Sequence, residues 1–193
     1  MNIRRILAVT AAFVVLAAAT SPVHAQGRWS FEARAGAAFT DGDFGGADLS
    51  TGLGFIVAAN YRVMPHLAVY GGWTWYRFAA DDAVLGEDAD IEDTGYAFGL
   101  RFAPEYLPAL RPWLKVGGVF DHAEMENGAN LTGDSNHTLG WEVGAGLAVP
   151  IGNLTLTPGA RYRSFSPELE MSGLAATSDL AYFAIELGLL FGF

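Results

Sequence analysis

Hydrophobic and polar residues alternate along most of this chain, and a period of two residues predicts β-strands. The clearest example is 180–193, where every second residue is apolar and the positions between them hold small residues around one carboxylate, Glu186. Successive side chains of a strand point to opposite faces, so this segment has one continuous apolar face. Its apolar positions are Phe183, Ile185, Leu187, Leu189, Phe191 and Phe193.

The same alternation recurs in seven further segments, so the sequence predicts eight strands. In each segment one face carries large apolar side chains, and the opposite face carries mainly Gly, Ala and a few charged residues. The predicted strands are residues 29–40, 51–63, 67–78, 94–103, 112–123, 138–149, 154–165 and 180–193.

The connections between these segments alternate in length, which favours an up-and-down barrel. Short turns at 64–66, 105–111 and 150–153 alternate with longer polar loops. A soluble β-sandwich or lipocalin-like barrel is the alternative. Such a fold needs a polar exterior, and the strand faces made mainly of Gly and Ala cannot supply one. The predicted fold class is therefore all-β. The chain should form an eight-stranded antiparallel up-and-down transmembrane β-barrel, with both termini at the same end of the barrel as the short turns. The predicted loops are 41–50, 79–93, 124–137 and 166–179.

The N-terminal segment 1–25 has the features of a secretory signal peptide. Two arginines precede an apolar run over 6–19, and a small-residue cleavage site ends at Ala25. The run is shorter than the roughly 20 apolar residues that a transmembrane helix needs. We expect cleavage there, which would leave 26–193 as the barrel domain.

Composition agrees with a protein whose apolar surface is on the outside. Hydrophobic residues make up 51% of the chain and charged residues only 17%, and there is no cysteine to form a disulfide. The formal net charge is −10; losing the two arginines of the signal peptide would change it to −12. Such an acidic chain does not suit nucleic acid, whose binding needs a basic surface.

The alternating segments, the signal peptide, the stretch 67–78 (LAVYGGWTWYRF) and the terminal Phe193 together carry a family resemblance. The chain resembles the small eight-stranded outer-membrane β-barrels of the OmpA, OmpX and opacity-protein kind. The resemblance implies a monomer in the outer membrane of a Gram-negative bacterium, with periplasmic termini, in contact with membrane lipid and lipopolysaccharide. Because the chain stops at Phe193, we expect no peptidoglycan-binding domain. In this family the barrel-assembly machinery reads the last strand, here at Ile185, Leu187, Leu189, Phe191 and Phe193.

The inward positions predict a charged interior. Closing the barrel makes the first and last strands neighbours, so Glu186 should lie between Arg34 and Arg161, while Glu142 should face Arg161 and Arg163. Eight strands leave an interior just wide enough for side chains, so we expect an ion-pair network that plugs it. A narrow gated ion path is the alternative. The predicted network is Glu32, Arg34, Arg101, Lys115, Glu142, Arg161, Arg163 and Glu186, with Arg62 and Asp121 also facing inward.

The predicted loops are acidic. The second loop holds seven carboxylates within thirteen residues and no basic residue. The first loop contains Asp41, Asp43 and Asp48 without the spacing or bidentate Glu of an EF-hand, so no metal site is assigned. A solvated loop, loose divalent-cation bridging to lipopolysaccharide and a specific calcium site all remain open. The seven carboxylates are Asp81, Asp82, Glu87, Asp88, Asp90, Glu92 and Asp93.

Aromatic residues are expected to form two girdles at the membrane–water boundaries. The predicted periplasmic girdle is Trp29, Tyr61, Trp113, Phe191 and Phe193, and the outer one is Phe39, Trp73, Trp75, Tyr96 and Trp141.

Small outer-membrane enzymes that modify lipid A need a histidine, a nucleophile and an orienting group. The candidates are His122, Ser135, His137 and Glu142. Alternation predicts that Ser135 and His137 share a face, but it points Glu142 inward and His137 outward. We therefore assign no catalytic residue and no cofactor. The predicted function is a structural, envelope-maintaining barrel. The alternatives are an adhesin or surface antigen that binds ligands through its loops, and a narrow ion or small-solute channel.

Overall fold

The computed structural model describes residues 27–42, 49–79, 90–104, 111–127, 130–171, 174–177 and 179–192. The predicted signal peptide and Phe193 lie outside the described residues. The strands are β1 Trp29–Thr40, β2 Gly52–Met64, β3 Leu67–Phe78, β4 Asp90–Phe102, β5 Arg111–Asn127, β6 Asn130–Ser135, β7 Thr138–Ile151, β8 Leu154–Leu156, β9 Gly159–Phe165, β10 Glu168–Met171, β11 Leu174–Thr177 and β12 Leu180–Gly192.

All eight predicted strands are present. β1 and β3 have the predicted bounds at both ends, whereas β4 begins four residues earlier than predicted, at Asp90, and β5 continues to Asn127. The extensions pair with each other, as in Asp90↔Glu126 and Glu92↔Glu124. Polar side chains hide these ends from a search for alternating apolar residues, although their backbone pairs as well as any other.

Antiparallel pairing closes these strands into a ring that runs β1, β2, β3, β4, β5, β7, β9, β12 and back to β1. β8 and β9 act as one strand of this ring, because Leu189↔Leu156 and Glu186↔Gly159 share one register. Between them, the Thr157 and Gly188 backbones exchange hydrogen bonds of 2.8 and 3.2 Å. Pro158 interrupts the strand because it has no N–H to donate. The fold is thus an eight-stranded up-and-down barrel, as predicted.

The barrel is apolar outside and charged inside. Along β12 exposure alternates residue by residue, so Leu187 is 55% exposed while its neighbour Glu186 is 3% exposed. Outward apolar side chains such as Leu100 and Val116 repeat this pattern around the ring. Among the described residues, no helix is long and apolar enough to cross a bilayer.

Two of the predicted long loops, 124–137 and 166–179, contain further strands that the sequence did not predict. β6 continues the wall by pairing with the end of β5, as in Glu124↔Asp134. β10 then pairs with β6 through Leu169↔Ser135, and β11 pairs with β10. The barrel wall therefore rises beyond the ring on one side as a small sheet formed by β5, β6, β10 and β11, which we call the outer sheet.

Candidate functional site

Glu186 is the centre of the charged interior. Its carboxylate accepts hydrogen bonds from Arg34 Nε at 2.8 Å, Arg161 Nε at 3.0 Å and Tyr76 Oη at 2.8 Å. The strand registers explain the first two contacts, because Gly36 and Gly159 are the direct partners of Glu186. Arg34 and Arg161 are therefore its diagonal neighbours, within reach of long side chains. One buried carboxylate joins β1, β9 and β3 to β12.

Glu32 organises the interior towards the end of the barrel that carries the short turns, which we call the turn side. Glu32 Oε1 accepts a hydrogen bond from Arg34 Nη1 at 2.8 Å and another from the Thr157 hydroxyl at 3.0 Å. Lys115 Nζ, on β5, reaches across the lumen to Glu32 Oε2. All of these groups are buried. Both oxygens of Glu32 are consequently occupied by strong donors.

Glu142 organises the interior towards the opposite end, which carries the predicted long loops and which we call the loop side. Glu142 Oε2 accepts hydrogen bonds from Arg161 Nη1 at 2.8 Å and Arg163 Nη2 at 2.9 Å, and its Oε1 accepts one from Tyr70 Oη at 2.6 Å. Arg163 also donates to Asp121 Oδ2 at 2.8 Å. Arg161 therefore links Glu142 to Glu186, and the interior charges form one connected network.

Asp93 belongs to this interior, so its assignment to an exposed acidic loop is wrong. It is buried, accepts a hydrogen bond of 2.7 Å from Tyr182 Oη, and lies 3.7 Å from Arg163 Nη1. The reason is the early start of β4, which places Asp93 opposite Ala123 in the ladder. Asp90 and Glu92 are also on β4, but they lie on the outer surface beside Arg77.

Two inward cations predicted from the alternation stand apart from the network. Arg101 makes no hydrogen bond or ion pair with a described residue, and its Nε is buried. Arg62 is exposed at the turn side and donates to the Gly27 carbonyl at 3.1 Å. The structure thus brings together Glu32, Arg34, Lys115, Glu142, Arg161, Arg163 and Glu186 of the predicted set.

Sequence reasoning missed the uncharged hydroxyl groups that also belong to the network. The hydroxyls of Tyr70, Tyr76 and Tyr182 each donate to a buried carboxylate, and Thr157 donates to Glu32. The strand alternation already carried a signal for the two tyrosines of β3, since Trp73 and Trp75 point outward and their neighbours must point inward.

Trp113 lies in the interior and not in the periplasmic girdle, so that prediction is wrong. It is buried, and Arg34 lies over its ring with the guanidinium carbon 4.7 Å from the ring centroid. Two glycines on neighbouring strands make room for the indole: a Cβ on Gly146 or Gly159 would come within 2.5 or 2.3 Å of it. Trp113 therefore supports the network by packing and by a cation–π contact.

The interior is nearly filled by these side chains. The cavity among Arg34, Tyr70, Lys115, Glu142 and Glu186 is only about 20 Å³. That volume suits about one water molecule. The arrangement can hold opposite walls of the barrel together and can obstruct the lumen.

A larger cavity lies at the turn side, and we call it the turn-side cavity. Its volume is about 390 Å³, and the inward-facing residues Ser30, Asn60 and Ala68 are part of its lining. Four arginines line it: Arg28, Arg62, Arg101 and Arg111.

The histidine and serine residues considered as catalytic candidates do not hydrogen-bond to one another. Ser135 Oγ is buried and accepts a hydrogen bond from the Ala123 backbone at 2.8 Å. His122 Nε2 lies 2.9 Å from Glu124 Oε1, and its ring stacks on exposed His137 with centroids 4.3 Å apart. Ser135 and His137 therefore do not share a face, contrary to the sequence prediction. No catalytic group of three follows from these described side chains.

The open question of cation binding by the first loop stays open, because Asp43 and Asp48 lie outside the described residues. The same holds for Asp81, Asp82, Glu87 and Asp88. Within the described part of the chain, no three His, Cys, Asp or Glu side chains are grouped so as to hold a metal ion.

Comparison with known proteins gives one family and several similar structures. The family described as "Outer membrane protein beta-barrel domain" matches residues 10–193. Neisserial surface protein A has a TM-score of 0.67 at 16% identity, with 86% of this chain and 97% of that chain covered. OprG of Pseudomonas aeruginosa has a TM-score of 0.56 at 13% identity, with 89% of this chain and 100% of that chain covered. Outer membrane protein W of E. coli has a TM-score of 0.55 at 13% identity, with the same two coverages. No curated protein sequence matches the chain.

Proposed function

Because the chain belongs to the outer membrane protein β-barrel domain family, we propose that it is a structural barrel that helps to maintain the envelope and whose lumen is closed by its ion-pair network. The outer membrane of a Gram-negative bacterium is its location, as the family and the similar outer-membrane barrels indicate. In the proposed orientation both termini and the turn side face the periplasm, and the loop side faces outward. The outward apolar side chains then contact lipid.

The observation that carries this proposal is the triple contact of Glu186 with Arg34, Arg161 and Tyr76. Arg34 and Arg161 reach Glu186 from the two strands adjacent to β12, and Tyr76 reaches it from β3. The contacts lie near the middle of β12, where the remaining cavity is about 20 Å³. An ion passing this point would have to break several charge-assisted hydrogen bonds in a region with little water. Separating such buried pairs is costly, because each charge would be left uncompensated.

Single-channel recording in planar bilayers tests the closed lumen. The wild-type barrel should give no conductance steps above the lipid baseline. The double variant Arg34→Ala/Glu186→Ala should give steps, because it removes two long side chains from the narrowest level. The matched double variant Arg77→Ala/Glu92→Ala removes an outward-facing ion pair and should remain silent.

Folding of each variant is checked by its heat-dependent shift in gel electrophoresis. Reproducible steps from the wild type would favour the narrow-channel alternative over a closed barrel. Silence of a folded interior variant would mean that the network is not the barrier.

The last strand is proposed to direct insertion through the barrel-assembly machinery, with lipopolysaccharide and phospholipid as the surrounding partners. The support is the continuous outward row on β12, in which Ile185, Leu187 and Leu189 are all exposed. Phe191 continues the β12 ladder as the partner of Phe31. Phe193 completes the predicted signal and lies outside the described residues.

A second candidate function is the binding of external ligands at the loop side. The observation in its favour is the outer sheet, since β6, β10 and β11 extend the wall as paired strands. Backbone pairing fixes such a surface more firmly than an irregular loop. Replacing residues 168–177 with a short Gly-Ser linker separates the two functions: an adhesin would lose attachment and keep detergent resistance of the cells, whereas a purely structural barrel would show no loss of attachment.

A further inference from the structure

We propose that the turn-side cavity binds a small, multiply charged anion of the phosphate type. The cavity has a volume of about 390 Å³, which is enough for an anion of several heavy atoms and its hydration water. Arg28, Arg62, Arg101 and Arg111 line it, and no carboxylate does so among the described residues. A concentration of guanidinium groups around a concave, water-accessible site is the arrangement that recognises oxyanions.

Arg101 provides the strongest argument. Its direct cross-strand partner is Lys115, so two cations face inward side by side on β4 and β5. Like charges in direct opposition destabilise a sheet. Lys115 is compensated by Glu32, but Arg101 makes no hydrogen bond or ion pair with a described residue. An anion in the cavity would compensate Arg101.

Glu32 is the nearby carboxylate, but it makes no hydrogen bond with Arg101. Its two oxygens already accept hydrogen bonds from Arg34, Lys115 and Thr157. The carboxylates Asp93 and Asp121 lie towards the loop side with Arg163. Among the described residues that line the turn-side cavity, the charged side chains are therefore all arginines, even though the chain as a whole is strongly acidic.

The neighbouring arginines lie in a row that an anion could bridge. Ala68 on β3 pairs with Arg62 on β2 and with Arg101 on β4, so a small residue separates the two guanidinium-bearing positions. Arg62 uses Nη2 for the Gly27 carbonyl, and Arg28 uses Nη1 for the Tyr61 hydroxyl. Each guanidinium has five N–H donors, so both retain donors for a ligand.

Phosphate groups fit these donors better than a single carboxylate, because a phosphate offers several charged oxygens to more than one guanidinium. The group could come from a soluble phosphate compound or from a phospholipid headgroup. Since Ser30, Asn60 and Ala68 place the cavity inside the ring, the geometry favours the soluble source.

Calorimetric titration of the refolded full barrel with inorganic pyrophosphate, in zwitterionic detergent and low salt, tests the proposal. The wild type should bind with saturable heat and one site per chain. Arg101→Gln should weaken binding about tenfold, in line with the loss of a charged hydrogen-bond donor, and Arg62→Gln should weaken it as well. Arg77→Gln, which removes one positive charge at the other end, should bind as the wild type does.

A second titration in micelles that contain phosphatidylglycerol distinguishes the sources. Loss of the pyrophosphate signal in these micelles would identify a headgroup as the occupant. Unchanged binding would identify a soluble phosphate. The absence of saturable heat, or equal weakening by Arg101→Gln and Arg77→Gln, would overturn the proposal. If Arg101→Gln does not refold, Arg62→Gln and Arg28→Gln provide the same comparison. The result does not depend on whether the lumen conducts.

Discussion

The hydroxyl of Tyr70, on β3, donates a hydrogen bond of 2.6 Å to Glu142, on β7, across the lumen. These strands are not neighbours in the ring, because β4 and β5 lie between them. Tyr76 and Arg163 make similar contacts from β3 and β9, to Glu186 and Thr74. The network therefore connects opposite walls and does more than compensate charge.

Tyr70→Phe should lower the free energy of unfolding by about 1–3 kcal/mol, because it removes one donor from a buried carboxylate. The change is measured by urea unfolding in lipid vesicles, followed by tryptophan fluorescence. Tyr162→Phe is the matched control, since its hydroxyl makes a long, exposed contact of 3.4 Å with Asp41. It should cost no more than about 0.5 kcal/mol. Equal effects of the two substitutions would contradict the role of the transverse bond.

Glu186→Gln should destabilise the barrel much more, by about 3–5 kcal/mol, because Arg34 and Arg161 would lose their shared charge partner. The same unfolding assay measures it. Asp90→Asn is the control, because Asp90 pairs with Arg77 at the surface with 37% of its side chain exposed. An exposed pair contributes about 0–1 kcal/mol. If Glu186→Gln lowered the free energy of unfolding no more than Asp90→Asn does, the buried pairs would matter little.

Gly159→Ala should destabilise the barrel by about 1–3 kcal/mol through overpacking. Its added Cβ would lie 2.3 Å from the Trp113 ring and 2.7 Å from the Ala145 carbonyl oxygen. Gly71→Ala adds the same methyl group where no atom lies within 4 Å, and it should be close to neutral. In a Trp113→Leu background, Gly159→Ala should cost less than it does in the wild-type background. An equal cost in both backgrounds would mean that a backbone clash and not the indole is the cause.

Val116→Arg should cost about 2–4 kcal/mol in a bilayer, because it places a charge on the lipid-facing surface at membrane depth. Val116 is an exposed residue in the middle of β5. Asn153→Arg adds the same side chain in the turn between β7 and β8, where water is available, and should have little effect. Stability is compared in vesicles of one lipid composition. A neutral Val116→Arg variant would mean that this face does not contact lipid.

Phe193→Ala should reduce the amount of folded barrel in the outer membrane without preventing refolding of the purified chain. The expected reason is weaker recognition of the last strand by the assembly machinery. Heat-shifted electrophoresis of outer-membrane fractions measures the folded amount, and refolding into vesicles provides the comparison. Equal losses in both assays would assign Phe193 to stability and not to recognition.

The strands were predictable because alternation is a local property. The bounds of β1 and β3 could be predicted from their own residues alone, because large apolar side chains mark their outer faces. The early start of β4 was missed because three of its four residues, Asp90, Glu92 and Asp93, are acidic, and strands β6, β10 and β11 of the outer sheet were missed because they are only four to six residues long. There, backbone pairing with a neighbouring strand decides the structure, as in Glu92↔Glu124.

The sequence predicted which charged side chains lie in the interior, but only some of the contacts between them. The diagonal relation of Glu186 to Arg34 and Arg161 followed from strand order alone. By contrast, the packing of Arg34 on Trp113, the absence of a hydrogen bond between Arg101 and any described residue, and the contact of Tyr70 with Glu142 depend on how far the strands are staggered around the ring.

The sequence by itself determined which side chains face lipid and which face the lumen, since a strand sends alternate residues to opposite sides. Only the closed barrel decided which inward groups meet. Contacts across the lumen join strands that are distant in sequence and not adjacent in the sheet, and their heights are set by the tilt and stagger that closure imposes. For this reason Glu32 is shared by Lys115 and Arg34, while Arg101 faces the turn-side cavity.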